Sequence, residues 1–229
     1  MTNINHTNTD ACSEQGGQTV RVWDFPTRAF HWSLALVVAV VWASSEARGS
    51  AFWVHVYAGT SLLGFVAFRA VWGVIGSRYA LFGNFVHGPQ VVSQYTKDLV
   101  AFSPPHSTGH NPLGGWMVLA LLGFITLAVL SGLSTHSSGY VGPLAHIWGG
   151  IFGKAHEGFA NLLLFLIFGH VAGVFVHGFI SRENLPRAML TGDKQIPQGV
   201  AAQGIKGVGF VRPIIALAVG LVVVWYFLR

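Results

Sequence analysis

Cysteine is almost missing from this chain of 229 residues: Cys12 stands alone. That excludes an internal disulfide framework, an iron–sulfur cluster held by thiolates and a C-x-x-C-H site for covalent haem, so any redox cofactor must be held by other side chains. Charge is scarce too, with Asp, Glu, Lys and Arg making up only 9% of the chain, against about 25% in a soluble domain. The 13 Lys and Arg exceed the eight Asp and Glu, but so few charges neither coat a globular surface nor line a nucleic-acid groove, and no nucleic acid is expected as partner. What the chain has in abundance is apolar surface, at 52% of residues and a mean hydropathy of +0.54. It reads as a membrane protein whose first partner is lipid.

Residues 1–20 are polar, lack a long apolar run and read as a mobile tail. Four apolar stretches follow, at Phe25–Ser45, Ala51–Gly76, Pro112–Leu133 and about Ile151–Ile180. Each is long enough as a helix to cross a hydrocarbon core of roughly 30 Å. A fifth, Pro213–Leu228, is wholly apolar but short, with Arg212 and Arg229 placed to reach the two headgroup layers. Between the second and third spans, VVSQYTKDLVAF reads as a short amphipathic helix lying on the membrane surface.

Basic residues set the orientation. Arg21 and Arg28 precede the first span, Arg78 and Lys97 follow the second, and Arg182, Arg187, Lys194 and Lys206 follow the fourth. The opposite connections carry only Arg48 and Lys154. A cytoplasmic N-terminus follows, in a multi-pass membrane protein.

Histidine is the anomaly, with eleven in so apolar a chain. An intramembrane histidine is costly and needs a partner or a task. His156 and His170 lie fourteen residues apart on the fourth span, which means a rise of about 21 Å and a return to within about 40° of the same face. Depth matching pairs His156 with His55 at the outer side and His170 with His31 at the cytoplasmic side. No cysteine or carboxylate completes a zinc site at either pair. A haem iron needs only two axial ligands on opposite faces of a macrocycle, so two non-covalent b haems, each between two histidines, is the economical reading. Arg69 shares the face of His55 but lies at the depth of His170, and Arg28 sits one turn before His31; either can pair with a haem propionate or reach to headgroups. Gly59, Gly64, Gly169 and Gly173 admit either a macrocycle or ordinary close helix packing. His177, at the boundary, reads as solvated or as touching a propionate, and His6, His87, His106, His110, His136 and His146 read as solvated.

The run VRVWDFPTRAFHW entering the first span, GSRYALFGNFVHGP after the second, TGHNPLGGW entering the third and the His156/His170 spacing together resemble the bacterial di-haem cytochromes b. That group contains bacterial cytochrome b561 and the b-type subunit of nickel-iron hydrogenases. The resemblance covers about residues 20–192 and implies a four-helix core with two haems ligated by His31, His55, His156 and His170. It further implies a place in the bacterial inner membrane and electron transfer between the quinone pool and a redox partner. Quinone would exchange near the cytoplasmic haem, with Asn111 of GHNPLGGW as a contact.

The expected fold class is an all-α integral membrane protein: a four-helix transmembrane bundle holding two b haems, plus a fifth C-terminal transmembrane helix. Its expected organisation is a tail at 1–20, a di-haem cytochrome b domain at 21–192, a linker at 193–211 and the last helix at 212–229. The expected function is electron transfer between quinone and a periplasmic redox protein such as a cytochrome c or a hydrogenase, as an electron-transfer subunit with quinone reductase or quinol oxidase activity. Self-association into a homo-oligomer is compatible with it. Two other readings stand beside it: a self-standing superoxide:quinone oxidoreductase, and a haem-free histidine-containing transporter or anchor. The fifth span lies beyond the four-helix pattern and is expected to stand away from the bundle as a docking element, the alternative being that it shields a haem edge from lipid.

Overall fold

The computed structural model describes residues 18–137, 139–196, 203–205 and 207–229, without the side chains of 148–150. Five helices are long and apolar enough to cross a membrane. The first, α1 (Phe25–Ala43), starts where Asp24 caps it: the carboxylate accepts from Thr27 N at 2.6 Å, and Pro26 occupies the first turn. The second Asp24 oxygen accepts from the Ser77 hydroxyl, and Trp72 Nε1 donates to Thr27 Oγ1 at 3.0 Å. This buried polar knot fastens the start of α1 to the end of α2 (Phe52–Ile75). We call that side of the bundle the entry end and the opposite side the far end.

At the entry end, α3 (Pro89–Val100) lies between the second and third spans, with Val92 and Tyr95 turned inward. The amphipathic segment is thus a helix, as the sequence indicates. Next, α4 (Pro112–Leu133) descends to the far end, where a small hairpin of β2 (His136–Ser137) and β3 (Tyr140–Val141) leads into α5 (Ala145–Lys154). The return helix α6 (His156–Ser181) begins after a break at Ala155. The apolar run read as one fourth span therefore belongs to two helices.

A short α7 (Leu185–Thr191) ends on Gly192, whose φ of 90° only glycine adopts freely. The Gly192 carbonyl accepts from both Val22 N and Trp23 N, at 2.8 and 3.0 Å. These bonds lead into an antiparallel pair of β1 (Gln18–Arg21) with β4 (Asp193–Ile196). Two expected boundaries are corrected here: residues 18–20 of the presumed tail are strand, and residues 193–196 of the presumed linker are its partner. Residues 1–17, with His6 and Cys12, and most of 197–206 lie outside the described residues.

The last helix, α8 (Val211–Leu228), does not stand away from the bundle. It packs along α2 where Gly64 and Gly220 meet backbone to backbone. A Cβ on Gly220 would come within 2.7 Å of the Gly64 carbonyl oxygen. Gly64 is thus a helix-packing glycine, whereas Gly59 and Gly173 face open space. Packed pairs are α1–α2, α2–α4, α4–α6 and α2–α8, while α6 makes only sparse backbone contact with α1 and α2. The core is centred on Leu62, Leu63, Ile125, Val129 and Leu163. The loosely packed seam between α6 and the α1–α2 pair is where the histidines lie.

Candidate functional site: two histidine pairs across a helix seam

His55 and His156 face each other near the far end, their ring centroids 6.1 Å apart. His31 and His170 face each other toward the entry end at 6.4 Å. The structure thus brings together both pairs that depth matching selects. Neither distance is a direct ring contact. Two metal–imidazole bonds of about 2 Å each, plus roughly 1.2 Å from nitrogen to centroid on either side, give about 6.4 Å. The openings are sized for one metal ion between two imidazoles.

At the far end, each ring is oriented by the main chain. His55 Nδ1 donates to the Val41 carbonyl at 2.9 Å, and His156 Nδ1 donates to the Ala128 carbonyl at 2.8 Å. A carbonyl only accepts, so Nδ1 carries the proton and each Nε2 keeps a free lone pair, the form a metal requires. Gly132 sits flat against His156, where a Cβ would come within 3.0 Å of the ring. Above them, Tyr140 of the hairpin packs edge-on against Phe52 and Trp53, and Phe52 stacks toward His55. Burial pushes the Tyr140 phenol up from its ordinary value.

The entry pair has different surroundings. His31 Nδ1 is buried and has no partner. Arg28 donates one N–H to the Leu190 carbonyl, but its Nε is buried and unbonded. Arg69, 4% exposed, lies with its guanidinium over the Phe82 and Phe85 rings at 4.6 and 5.5 Å, and its Nη1 is also unbonded. An unpaired buried guanidinium N–H is expensive, and an anionic partner at each arginine would remove that cost. Arg69 is therefore a buried residue and does not reach toward headgroups.

His110 was expected to be solvated and is not. Its ring lies 4.8 Å from Trp23 and 4.5 Å from Phe85, with Nδ1 buried and unbonded. Burial, with Arg69 next in effect, lowers its pKa to about 3, so the ring is neutral at physiological pH. His177 was expected at the solvated boundary but is buried, bonded to Tyr95 and Ser181. His136 and His146 are exposed, as expected; His87 Nδ1 donates to the Phe85 carbonyl, and His106 meets Glu183. The sequence signal for His110 was its place directly before the α4 cap.

Asn111 is that cap. Its Oδ1 accepts from Gly114 N at 2.7 Å, and its side chain also bonds to Tyr95. Beside it opens a pocket of about 280 Å³ lined by Tyr79, Phe85, His87, Tyr95, His106 and His110. Asn111 itself stands behind this lining.

Five membrane-length apolar helices with paired imidazoles across their interior define a membrane protein built to hold a cofactor between helices. The chain belongs to the prokaryotic cytochrome b561 family, whose model matches residues 22–192. No curated protein and no solved structure matches it. Membership makes it a multi-pass bacterial membrane b-type cytochrome that binds b haem and transfers electrons, which sets aside the haem-free reading. The residues present fit that group: axial imidazoles at the right separation, and unpaired arginine donors suited to its carboxylates. No cluster of three or more metal-ligating side chains exists among the described residues.

Proposed function

We propose that the chain holds two b haems, one between His55 and His156 and one between His31 and His170, and carries electrons between quinone and a periplasmic redox protein. The observation that carries this reading is the pair of ring separations, 6.1 and 6.4 Å, on one continuous seam. A bound b haem supplies an iron that accepts and releases one electron at a time. The chain's own residues would hold it: His31, His55, His156 and His170 as ligands to iron, with Arg28 and Arg69 as partners for its carboxylates at the entry end. With two protein ligands for each iron, the group would supply electron transfer in preference to chemistry at the metal.

The entry end is the cytoplasmic end in this reading. It gathers Arg21, Arg28, Arg78, Lys97, Arg182, Arg187 and Lys194, against Arg48, Lys154 and the terminal Arg229 at the far end. Quinone exchanges at the pocket beside His110 and Tyr95, and Asn111, expected as its contact, stands one residue back and acts through its bond to Tyr95. The hairpin and α5 form the periplasmic face, where a cytochrome c or a hydrogenase docks near the His55/His156 haem. A reduced-minus-oxidised spectrum of the purified chain, with haem quantified, tests the reading. Two b haems per chain are expected, and one haem or none would overturn it.

A further inference from the structure

The entry end of α6 contains a chain of hydrogen bonds that haem ligation does not use. His177 Nδ1 is 3.2 Å from the Tyr95 hydroxyl, and Ser181 Oγ is 3.3 Å from His177 Nε2. Burial, with Glu183 next in effect, raises the Tyr95 phenol to about 12, so it remains protonated and donates to Nδ1. The neutral ring then carries its proton on Nε2, facing Ser181. Asn111 has committed its Oδ1 to Gly114, so its NH2 is the group that meets the Tyr95 oxygen.

The two ends of this chain differ. Tyr95 lines the pocket. Ser181 is half-buried beside the exposed Arg182. Glu183 flanks the middle, in the electrostatic reach of both Tyr95 and His177. It pairs with Lys194 at 2.9 Å and with the partly exposed His106 at 3.3 Å, while Lys194 is also bonded to the Ser107 carbonyl. A buried histidine between two hydroxyls, with a carboxylate nearby to stabilise its cation, has the parts of a proton conductor.

We propose that Tyr95, His177 and Ser181 form a proton relay between water at the entry end and the pocket. This rests on the assignment of that pocket to quinone. Converting a quinone to a quinol takes two electrons, supplied singly by the reduced redox partner, and two protons. In the delivering arrangement Ser181 O–H donates to Nε2, Nδ1–H donates to the Tyr95 oxygen, and Tyr95 O–H donates to a quinone oxygen. Each proton moves one place: the quinone O–H bond forms as the Tyr95 O–H bond breaks, Nδ1 re-protonates Tyr95, and Ser181 re-protonates Nε2. Water restores the Ser181 proton. The second proton enters from water at the open side of the pocket. The hydrogen bonds seen in the structure are those left after one delivery, and quinol oxidation runs the same steps in reverse.

The test uses the full haem-loaded chain in lipid nanodiscs, with a short-chain ubiquinone and its quinol as probes. Tyr95→Phe removes the transferable proton and keeps the ring. It should retain both haem spectra and bind the quinone within about threefold of the parent affinity, yet slow haem reduction by the quinol about 10²-fold. His177→Gln should be slowed similarly and be accelerated by added imidazole, a diffusible proton acceptor, which a packing role would not permit. A parental rate in Tyr95→Phe, or a rate loss matched by an equal loss of quinone affinity, would overturn the relay. If Tyr95→Phe fails to retain haem, Ser181→Ala decides: a tenfold loss of rate supports the relay and an unchanged rate overturns it. A parent protein that neither binds the quinone nor is reduced by the quinol overturns the pocket assignment and the relay together, whereas a reactive parent with an equally reactive Tyr95→Phe overturns the relay alone.

Discussion

At the far end His55 and His156 each give a ring N–H to a main-chain carbonyl, whereas at the entry end His31 leaves Nδ1 unbonded among Arg28, Arg69 and His110. One pair is set by the fold alone. The other is surrounded by donors that lack an acceptor, so its environment is completed only by something negative. Helix geometry makes the two pairs near-copies along α6, but the backbone around them does not. The far pair sits where α1 and α4 present carbonyls toward the seam, and the entry pair sits where arginines from α1 and α2 enter it.

The largest effect that would sharpen this contrast is the loss of a whole haem. His55→Ala and His156→Ala should each lose one haem, and His31→Ala and His170→Ala the other, read as distinct losses in the reduced spectrum. In the haem-depleted protein, nitrogen-15 resonances should show His55 and His156 fixed as Nδ1-protonated tautomers and His31 averaging. Equal behaviour of both pairs would break the comparison.

Next in size is Arg69→Gln, which removes a buried positive charge beside the entry pair. It should weaken retention of that haem by roughly 1.5–3 kcal/mol, the scale of a charged hydrogen bond. It should also lower that haem's potential, because removing a cation favours the more positive iron. A titration that shifts the far-end haem instead would place Arg69 with the wrong pair.

Gly220→Leu forces a side chain into the α2–α8 contact and should cost about 1–3 kcal/mol of stability. Thermal unfolding followed at the haem band checks it. Both haems should survive below the transition, since the four histidines lie on α1, α2 and α6.

The smallest effect concerns the entry-end strands. The Arg21 guanidinium holds the Asp193 carboxyl below its ordinary value of 3.8. A carboxyl lowered in the folded state contributes stability that is present above its ordinary value and lost as pH falls through the lowered one. Amide protection across β1–β4 should therefore weaken from about pH 3.8 downward, and Asp193→Asn should remove the dependence. Both side chains are largely solvated, so the change should be slight.

Five spans, the depths of His31, His55, His156 and His170 and both cross-helix pairs were legible in the sequence, because membrane thickness and helical rise leave few arrangements. The fourteen-residue interval of His156 and His170 is a one-dimensional measurement of the same kind. His110 was not legible: it precedes α4 in a connection that looks solvent-exposed, yet it is half-buried with Trp23 and Phe85 packed against its ring. The fate of α8 was equally hidden. Its apolar residues surround the helix, so no periodic face announces a partner.

Sequence alone determined what belongs inside a membrane, which histidines share a face, and how far apart the pairs stand, all of them consequences of local composition and a fixed rise per residue. Tertiary structure decided what surrounds each ring: the Val41 and Ala128 carbonyls on one pair, the unpaired arginines at the other, Tyr95 brought from α3 onto His177, and Gly64 laid against Gly220. Those contacts join residues far apart in the chain. Their distances depend on how helices pack, and no local pattern encodes that.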